Sequence, residues 1–438
     1  MSSLRTLSVG LGKLFSWTVV LLLGVFLWGG AVLGPRCLRG QEQIDVLRQQ
    51  LGKGQTDEVL RAAEQLGRLG KAAAPAVPDL VALLDHTDPL VRAAGLRALG
   101  AVGPEAAGAV AKVIARLDDR DLAGSMPLWQ IASETLGQMG EAAVPALIQQ
   151  LDPRRPQRYY GACAALQRIG PAAAQAVPKL VDLAMRDDED SQPALHALRG
   201  LGPAAKDALP MLMKLLDSRD FHNQYLACRV IGALGEHGQP ATGKLCQLLT
   251  SGVASVRRNA AAALGQIGPS IGDEGIDCLI RAVEDPLQPV REEAVIALGR
   301  VGPPAARAVS VLKEAVTTDR LGVKARAAGA LYRVSPQEVE LAMTVLLREL
   351  QGLNAPWAAA EELAYVAPRA GRVADVAKLL DADSEETQAA AADALAGMGK
   401  AAEPYLETLN KIANDASRDP EVREAARTAI EKIRQASQ

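Results

Sequence analysis

The sequence predicts an all-α fold, an α-solenoid of stacked helix pairs, behind one long apolar segment near the N-terminus. A glycine recurs roughly every 33 residues, and columns of small and aliphatic residues precede it at fixed distances. Residues 14–33 form a run of twenty residues without a charge. A period of this length is typical of repeat proteins, in which each unit contacts only its neighbours.

The repeat is anchored on twelve positions, nine of which are glycine. They are Gly70, Gly103, Gly140, Gly170, Gly202, Gly235, Gly268, Gly302, Ser335, Pro368, Gly399 and Arg434. Eight places before the anchor the residue is alanine or glycine in all twelve repeats, and four places before it the residue is leucine or isoleucine in eleven. The small column predicts close helix approach, and the aliphatic column predicts a filled layer between the helices.

The clearest unit covers residues 75–100. Apolar residues over 77–84 follow the spacing i, i+3, i+4, i+7 and predict a first helix. Residues 85–89 carry Asp and Pro and predict a turn, and residues 90–99 predict a second helix. The glycine that follows, often before proline, predicts a left-handed C-cap and a helix stop.

These units resemble the HEAT-repeat family, specifically the short HEAT-like repeats of phycobilin lyases. The resemblance is carried by Asp88, Val91, Arg92, Ala94, Leu99, Gly100, Gly103 and Pro104, and again by Val256, Arg257, Leu264, Gly265, Gly268 and Pro269 and by Val290, Arg291, Leu298, Gly299, Gly302 and Pro303. It covers about residues 42–438 and implies a right-handed solenoid of about twelve helix pairs, with the second helices on the concave side. The resemblance implies much about fold and little about function, because this fold hosts many unrelated functions.

Residues 14–34 are predicted to be a single transmembrane anchor, after a tail of residues 1–13 and before a linker of residues 35–41. Twenty apolar residues span about 30 Å as a helix, which matches a hydrocarbon core. The alternative is a cleaved signal sequence. The apolar run is longer than such sequences usually carry, and no Ala-x-Ala cleavage site follows it, so we expect an uncleaved anchor.

The basic residues that flank this segment do not agree on its orientation across the membrane. Arg5 and Lys13 on the amino side favour a solenoid outside the cytoplasm, whereas Arg36 and Arg39 on the carboxyl side favour the opposite orientation. We expect a single-pass membrane protein with an extracytoplasmic solenoid, and the cytoplasmic placement stays open.

Composition limits the function classes. After the basic N-terminal 40 residues, the chain has a net charge of −7, which disfavours a nucleic-acid grip. The five cysteines show no C-x-x-C spacing and no disulfide framework, and Cys163 and Cys228 are predicted to be buried core residues.

No catalytic or metal-binding motif is present in the sequence. The four histidines form no H-x-x-x-H, H-E-x-x-H or His-Glu pattern, and neither a P-loop nor G-x-S-x-G occurs. Acidic runs at residues 187–190 and 383–386 fit solvated turns better than a calcium loop. We therefore expect no catalytic residue, no metal and no cofactor.

One column, eleven places before the anchor, varies between repeats. In HEAT-like proteins a basic residue here commonly joins a ladder of aspartates and arginines along the stack. The column keeps a basic residue in repeats 2, 7, 8, 9 and 12, as Arg92, Arg257, Arg291, Lys324 and Arg423. Repeats 3 to 6 lose it, and aromatic and basic residues gather there.

These irregular repeats predict a partner-binding patch, because Trp, Tyr and Arg dominate interface hot spots. The candidate residues are Trp129, Arg154, Arg155, Tyr159, Tyr160, Phe221, His222 and Tyr225. The alternative for Trp129 and Trp357, which both stand in the ladder column, is that the ring fills the space that an arginine stem would otherwise occupy.

The function that the sequence favours is a membrane-tethered, non-catalytic scaffold or adaptor that binds another protein. Two alternatives stay open. One is an enzyme or chaperone-like subunit of the bilin-lyase type, which the resemblance suggests, and the other is a purely structural spacer.

Overall fold

The computed structural model describes residues 35–186, 191–318, 323–352 and 356–437. The predicted anchor at residues 14–34 and the acidic run at residues 187–190 lie outside these ranges. Within them, one helical stretch, Pro89–Asp118, is long and apolar enough to cross a membrane, and 56% of its most apolar window is buried inside the protein.

The described residues form twenty-four α-helices in twelve successive pairs, as the spacing predicts. The first helices are α1 Pro35–Lys53, α3 Val77–Ala82, α5 Val110–Ala115, α7 Val144–Ile148, α9 Val177–Ala184, α11 Leu209–Leu215, α13 Thr242–Leu248, α15 Gly272–Ala282, α17 Val309–Thr317, α19 Val339–Leu350, α21 Val373–Ala377 and α23 Leu406–Asn414. The second helices are α2 Thr56–Leu69, α4 Pro89–Val102, α6 Leu128–Met139, α8 Pro156–Ile169, α10 Ser191–Leu201, α12 Phe221–Ala233, α14 Ala254–Ile267, α16 Gln288–Val301, α18 Lys324–Val334, α20 Pro356–Arg369, α22 Glu385–Met398 and α24 Pro420–Ser437.

Short 3₁₀ segments connect many of these helices. They are Gly70–Ala76, Leu83–Asp85, Gly103–Ala109, Arg116–Asp118, Gly140–Ala143, Gly170–Ala176, Gly202–Ala208, Gly235–Ala241, Gly268–Ile271, Pro303–Ala308, Pro336–Glu338, Lys378–Asp381 and Gly399–Tyr405. Most begin at or directly after an anchor glycine, so the tight turn follows each second helix.

The chain divides into two compact units, one ending at Met139 and the other beginning at Gly140. The first unit holds α1 to α6, and the second holds α7 to α24. Between α5 and α6 the first unit contains a small antiparallel hairpin, β1 Leu122–Ala123 paired with β2 Met126–Pro127. This hairpin accounts for the longest repeat spacing, from Gly103 to Gly140.

Inside each unit, consecutive second helices pack side by side and the two predicted columns face the core. The small residue eight places before the anchor is fully buried in most repeats, and so is the aliphatic residue four places before it. A close approach of neighbouring second helices involves another column. A Cβ added at Gly265, three places before its anchor, would lie 2.7 Å from the Cα of Ala297 in the next repeat.

The second helices stop at a glycine with a positive φ, as predicted. The glycine does not, however, adopt the left-handed helical conformation. All nine anchor glycines have a positive φ. At Gly268 φ is 75° and ψ is −144°, far from the ψ of about +47° of the left-handed helix. Side chains strongly disfavour this region, so the stop depends on glycine.

Repeats 9, 10 and 12 lack this stop at the predicted place, and in repeat 12 Arg434 lies inside α24. Ser335 is extended, with a φ of −141°. Pro368 lies inside α20, and the positive φ occurs later, at Gly371. In α20, Leu363 and Ala359 are fully buried, although the spacing assigns these core places to Ala364 and Ala360. The helix is therefore shifted by one residue, which turns its faces by about 100°.

The cysteines divide into two kinds. Cys163 and Cys228 are buried free thiols, as predicted, and burial raises the pKa of both, that of Cys228 to about 12. Cys246 and Cys278, for which the spacing predicts no pairing, form a disulfide between α13 and α15. They stand on the first helices of adjacent repeats, so the disulfide links repeats 7 and 8.

The glycine stop predicts a specific cost for Gly268→Ala. No atom lies within 4 Å of the added Cβ, so the whole effect comes from the backbone conformation. We expect the free energy of unfolding to fall by about 1–3 kcal/mol, measured by urea denaturation. The matched control is Gly252→Ala in the same repeat, which also has open space and no positive φ, and which we expect to change stability by less than about 0.5 kcal/mol. Equal effects of the two substitutions would contradict the proposed stop.

Candidate interaction surface

The column eleven places before the anchor closes the turn between the two helices of a repeat. Five of its side chains donate a hydrogen bond to the carbonyl oxygen six residues upstream. The pairs are Arg92 with His86 (2.8 Å), Gln224 with Ser218 (2.8 Å), Arg257 with Ser251 (2.9 Å), Arg291 with Asp285 (2.8 Å) and Gln388 with Ala382 (2.6 Å). In repeats 6 and 11 a glutamine therefore replaces arginine as the hydrogen-bond donor to the turn carbonyl, because backbone carbonyl groups need a partner.

Two arginines of this column also reach into the next repeat. Arg92 Nε donates to Asp119 Oδ2 at 2.9 Å, and its Nη2 contacts Asp121. Arg257 Nε donates to Asp285 Oδ2 at 2.6 Å. Burial alone would raise the pKa of Asp285, but hydrogen bonds from Arg257 and from the Leu287 N–H outweigh it and hold that pKa below its usual value.

The other basic members of the column are Arg291, Lys324 and Arg423. Arg291 donates hydrogen bonds to the backbone carbonyl oxygens of Asp285 and Pro286, and Lys324 is half-buried at the start of α18. Arg423 Nε is buried and has no hydrogen-bond partner among the described residues.

The predicted partner-binding residues do not form one accessible patch. Trp129 is half-buried on α6 in the first unit, whereas the other candidates belong to the second unit. Tyr159 is fully buried, so it belongs to the core and no partner can touch its ring. Tyr160, the next residue, is 40% exposed.

Arg154 and Arg155 stand in the exposed turn before α8. Arg154 is paired with Asp152, with its Nε 3.0 Å from Oδ1. The hydrogen bonds from Arg154 hold the pKa of Asp152 below its usual value. Exposed ion pairs of this kind contribute little to the free energy of folding. The two arginines are therefore available to a partner, but the surrounding residues do not fix their position.

Trp357 does not fill the space of an arginine stem, which was the alternative interpretation for its column. Its side chain is 57% exposed, and the Arg326 guanidinium lies 5.1 Å from the ring centroid. The one-residue shift of α20 carries the ring out of the space between repeats, so it does not replace an arginine stem there.

Three predicted residues do come together, at the start of α12. The Phe221 and His222 rings lie 4.6 Å apart, and the His222 and Tyr225 rings lie 5.6 Å apart. Phe221 is 45% exposed. Phe221, Tyr225 and Arg229 follow the spacing i, i+4, i+8, which places them along one face of the helix.

A basic cluster on α10 and α12 continues this face. Burial and the nearby Arg229 and Arg199 guanidinium groups lower the pKa of His196. Burial and the Arg199 charge also lower the pKa of Arg229. Within the described ranges, no carboxylate forms an ion pair with Arg199 or Arg229. We call Phe221, His222, Tyr225, His196, Arg199 and Arg229 the aromatic–basic patch.

The basic half of this patch is absent from the residues predicted from the sequence. Arg199 stands three places before its anchor, in a column that is glycine in six repeats. His196 and Arg229 stand six places before theirs, at equivalent positions of adjacent repeats. Comparing columns across repeats could therefore have found them, because side chains at equivalent positions of neighbouring units lie side by side.

The chemistry of the patch suits binding. It offers exposed rings beside positive charge without a local counter-charge, which favours a ligand with apolar and anionic groups. Among the described residues, no three His, Cys, Asp or Glu side chains are placed to hold a metal ion.

Comparison with known proteins finds a family match in two regions of the chain. The family of HEAT repeats matches residues 39–124 and 242–332. The structure of yeast importin-β (Kap95p) aligns with a TM-score of 0.55 at 16% identity, over 90% of this chain and 62% of that chain. The Kap95:Nup1 complex aligns with a TM-score of 0.54 at 16% identity, with the same coverage. No curated protein sequence matches. This chain spans less than two thirds of those solved chains, and the likeness concerns the fold alone.

Adjacent tyrosines test the division between core and surface. Tyr159→Ala removes a fully buried ring, and we expect it to lower the free energy of unfolding by about 3–5 kcal/mol. Tyr160→Ala changes a partly exposed ring on the same turn of α8, and we expect a loss of less than about 1 kcal/mol. Urea midpoints of the two variants check this. A loss at Tyr160 as large as that at Tyr159 would place Tyr160 in the core.

Proposed function

We propose that this chain, a HEAT-repeat protein, is a non-catalytic scaffold or adaptor that binds a protein partner through the aromatic–basic patch. The observation that carries the proposal is the row Phe221, Tyr225 and Arg229 on α12, flanked by His196 and Arg199 of α10. Aromatic and arginine side chains that are partly exposed and already close together lose little entropy on binding, and they supply most of the energy of known interfaces.

The fold supports this use. Second helices that pack side by side present matching positions of neighbouring repeats in rows, and such surfaces suit extended contacts with another protein. A structurally similar HEAT-repeat protein, Kap95, forms a complex with Nup1. That protein shares only 16% identity with this chain, so it supports the kind of surface and not the partner.

A double substitution tests the patch. We expect Phe221→Ala with Tyr225→Ala to reduce recovery of the bound protein at least about tenfold when the full chain is crosslinked in its native membrane, because hot-spot truncation costs about 2 kcal/mol or more. The matched control is Leu287→Ala, which removes a side chain that is 47% exposed elsewhere in the second unit. Both variants should keep the helical circular dichroism of the unaltered chain. Full recovery with a folded double variant would contradict the proposed surface.

We also propose that residues 14–34 anchor the chain in a membrane and that the repeats lie outside the cytoplasm. The apolar length supports the anchor. The Cys246–Cys278 disulfide supports the placement, because disulfides persist in oxidising compartments and are rare in the cytoplasm.

Removing residues 1–40 tests the anchor and the placement together. We expect the full chain to stay in the membrane after a carbonate wash, with Cys246 and Cys278 joined. The shortened chain should be soluble and, having lost its export, should hold both residues as free thiols. Alkylation under denaturing conditions before any reduction, followed by peptide mass spectrometry, distinguishes the two states. The thiols of Cys163 and Cys228 serve as an internal control, since they are free in the structure. Free thiols at Cys246 and Cys278 in the full chain would contradict the extracytoplasmic placement.

A further inference from the structure

A second surface of the second unit differs from the aromatic–basic patch in charge and shape. A groove of about 780 Å³ crosses the second helices of the last three repeats, α20, α22 and α24. We infer that this C-terminal groove binds a lysine- or arginine-rich segment of a partner protein, with an apolar side chain of that segment on Trp357. This site lies beyond the proposed function, because it shares no residue with the patch on α10 and α12.

The floor of the groove is apolar and has a structural origin. Ala360, Ala364, Ala389 and Ala390 line it, together with Trp357. Ala364 is the one position in its column where the aliphatic residue is missing. Because the shift of α20 places Leu363 in the core instead, the small Ala364 faces the groove and Trp357 stands at its side. An exposed tryptophan beside an alanine floor is an anchor point for an apolar side chain.

The walls of the groove are strongly acidic. Six carboxylates line it, and Lys432 is the one cationic side chain among the lining residues. The carboxylates are Glu361, Glu385, Glu386, Asp393, Asp419 and Glu421. A cleft lined by one sign of charge concentrates the field, so it attracts the opposite charge and repels nucleic acid.

Most of this charge is not neutralised within the described residues. Glu361 is paired with Arg326, whose Nη2 lies 2.5 Å from its Oε2. Glu386 accepts a hydrogen bond from the Ser384 hydroxyl at 2.6 Å, which lowers the pKa of Glu386. In the described part of the chain, Glu385 and Glu421 form no ion pair with a lysine or arginine, so both carboxylates are available.

The arrangement of the carboxylates decides which kind of cation fits. A divalent metal ion needs several oxygen ligands around it, each at about 2.0–2.6 Å. No such group of three exists among the described residues. The charges are spread along three helices, so they match positive charges that are spread along a chain, as in a basic peptide. Charge complementarity and the tryptophan together point to a segment that carries both basic and apolar residues.

A defined peptide tests this occupant on the full chain in detergent. The probe is a fluorescent peptide of alternating lysine and leucine, and its matched partner carries glutamate in place of lysine. We expect saturable binding of the basic peptide, weakening with salt, and no binding of the acidic one. Glu385→Gln with Glu421→Gln should weaken the affinity about tenfold, and Trp357→Ala should weaken it by a similar factor.

The control variant is Glu403→Gln with Glu407→Gln, which removes the same charge outside the lining of the groove. It should bind as the unaltered chain does, and so should Phe221→Ala with Tyr225→Ala, so a failure of the aromatic–basic patch remains separate from a failure of the groove. Thermal unfolding followed by circular dichroism identifies any variant that has lost its fold.

Three results would overturn the inference. One is no saturable binding of the basic peptide. A second is an equal loss in the control variant, which would assign the effect to net charge alone. A third is self-association of the chain that Trp357→Ala abolishes without any peptide binding, detected by light scattering, because a second copy would then be the occupant.

Discussion

The repeats depend on how the backbone leaves each second helix. At nine anchors a glycine adopts a positive φ, and at Gly268 this is combined with a ψ of −144° that side chains strongly disfavour. The chain then turns directly into the connection to the next first helix. At these nine anchors the stop fixes the position at which the second helix ends. The small and aliphatic columns are buried in these repeats and also in repeat 9, where Ser335 replaces the glycine and Ala327 and Leu331 stay fully buried. The outward positions remain free to vary.

The C-terminal groove lies where one second helix departs from the spacing of the other repeats. Repeat 10 has proline at the anchor, and its second helix continues toward Gly371. The helix shifts by one residue, Leu363 takes the core place, and Ala364 and Trp357 become surface residues. The groove therefore accompanies the one-residue shift of α20, which repeat 9 does not share although it also lacks the glycine. The aromatic–basic patch has a different origin, since repeats 5 and 6 keep their glycine stops and vary only the side chains that face outward.

Features that depend on local sequence could be predicted, whereas features that depend on contacts between distant residues could not. The twelve helix pairs and the buried columns are local and periodic, so spacing alone predicts them. The burial of Tyr159 beside the exposed Tyr160 depends on packing between helices, and the Cys246–Cys278 disulfide depends on the distance between two first helices. The cluster of His196, Arg199 and Arg229 likewise forms only when neighbouring helices are side by side. The hairpin between Gly103 and Gly140 was not predicted, because the spacing of 37 residues does not show what structure the extra residues adopt.

The aromatic–basic patch is tested most directly by replacing Phe221 with a photoreactive phenylalanine analogue in the full chain, inside the cells that produce it. The proposed function predicts that irradiation joins this position to one protein at a constant ratio. The same analogue at Leu287, which is similarly exposed, should give no such product. Equal products at both positions, or none at Phe221 while the chain remains folded, would contradict the assignment of the aromatic–basic patch as the surface that binds a partner.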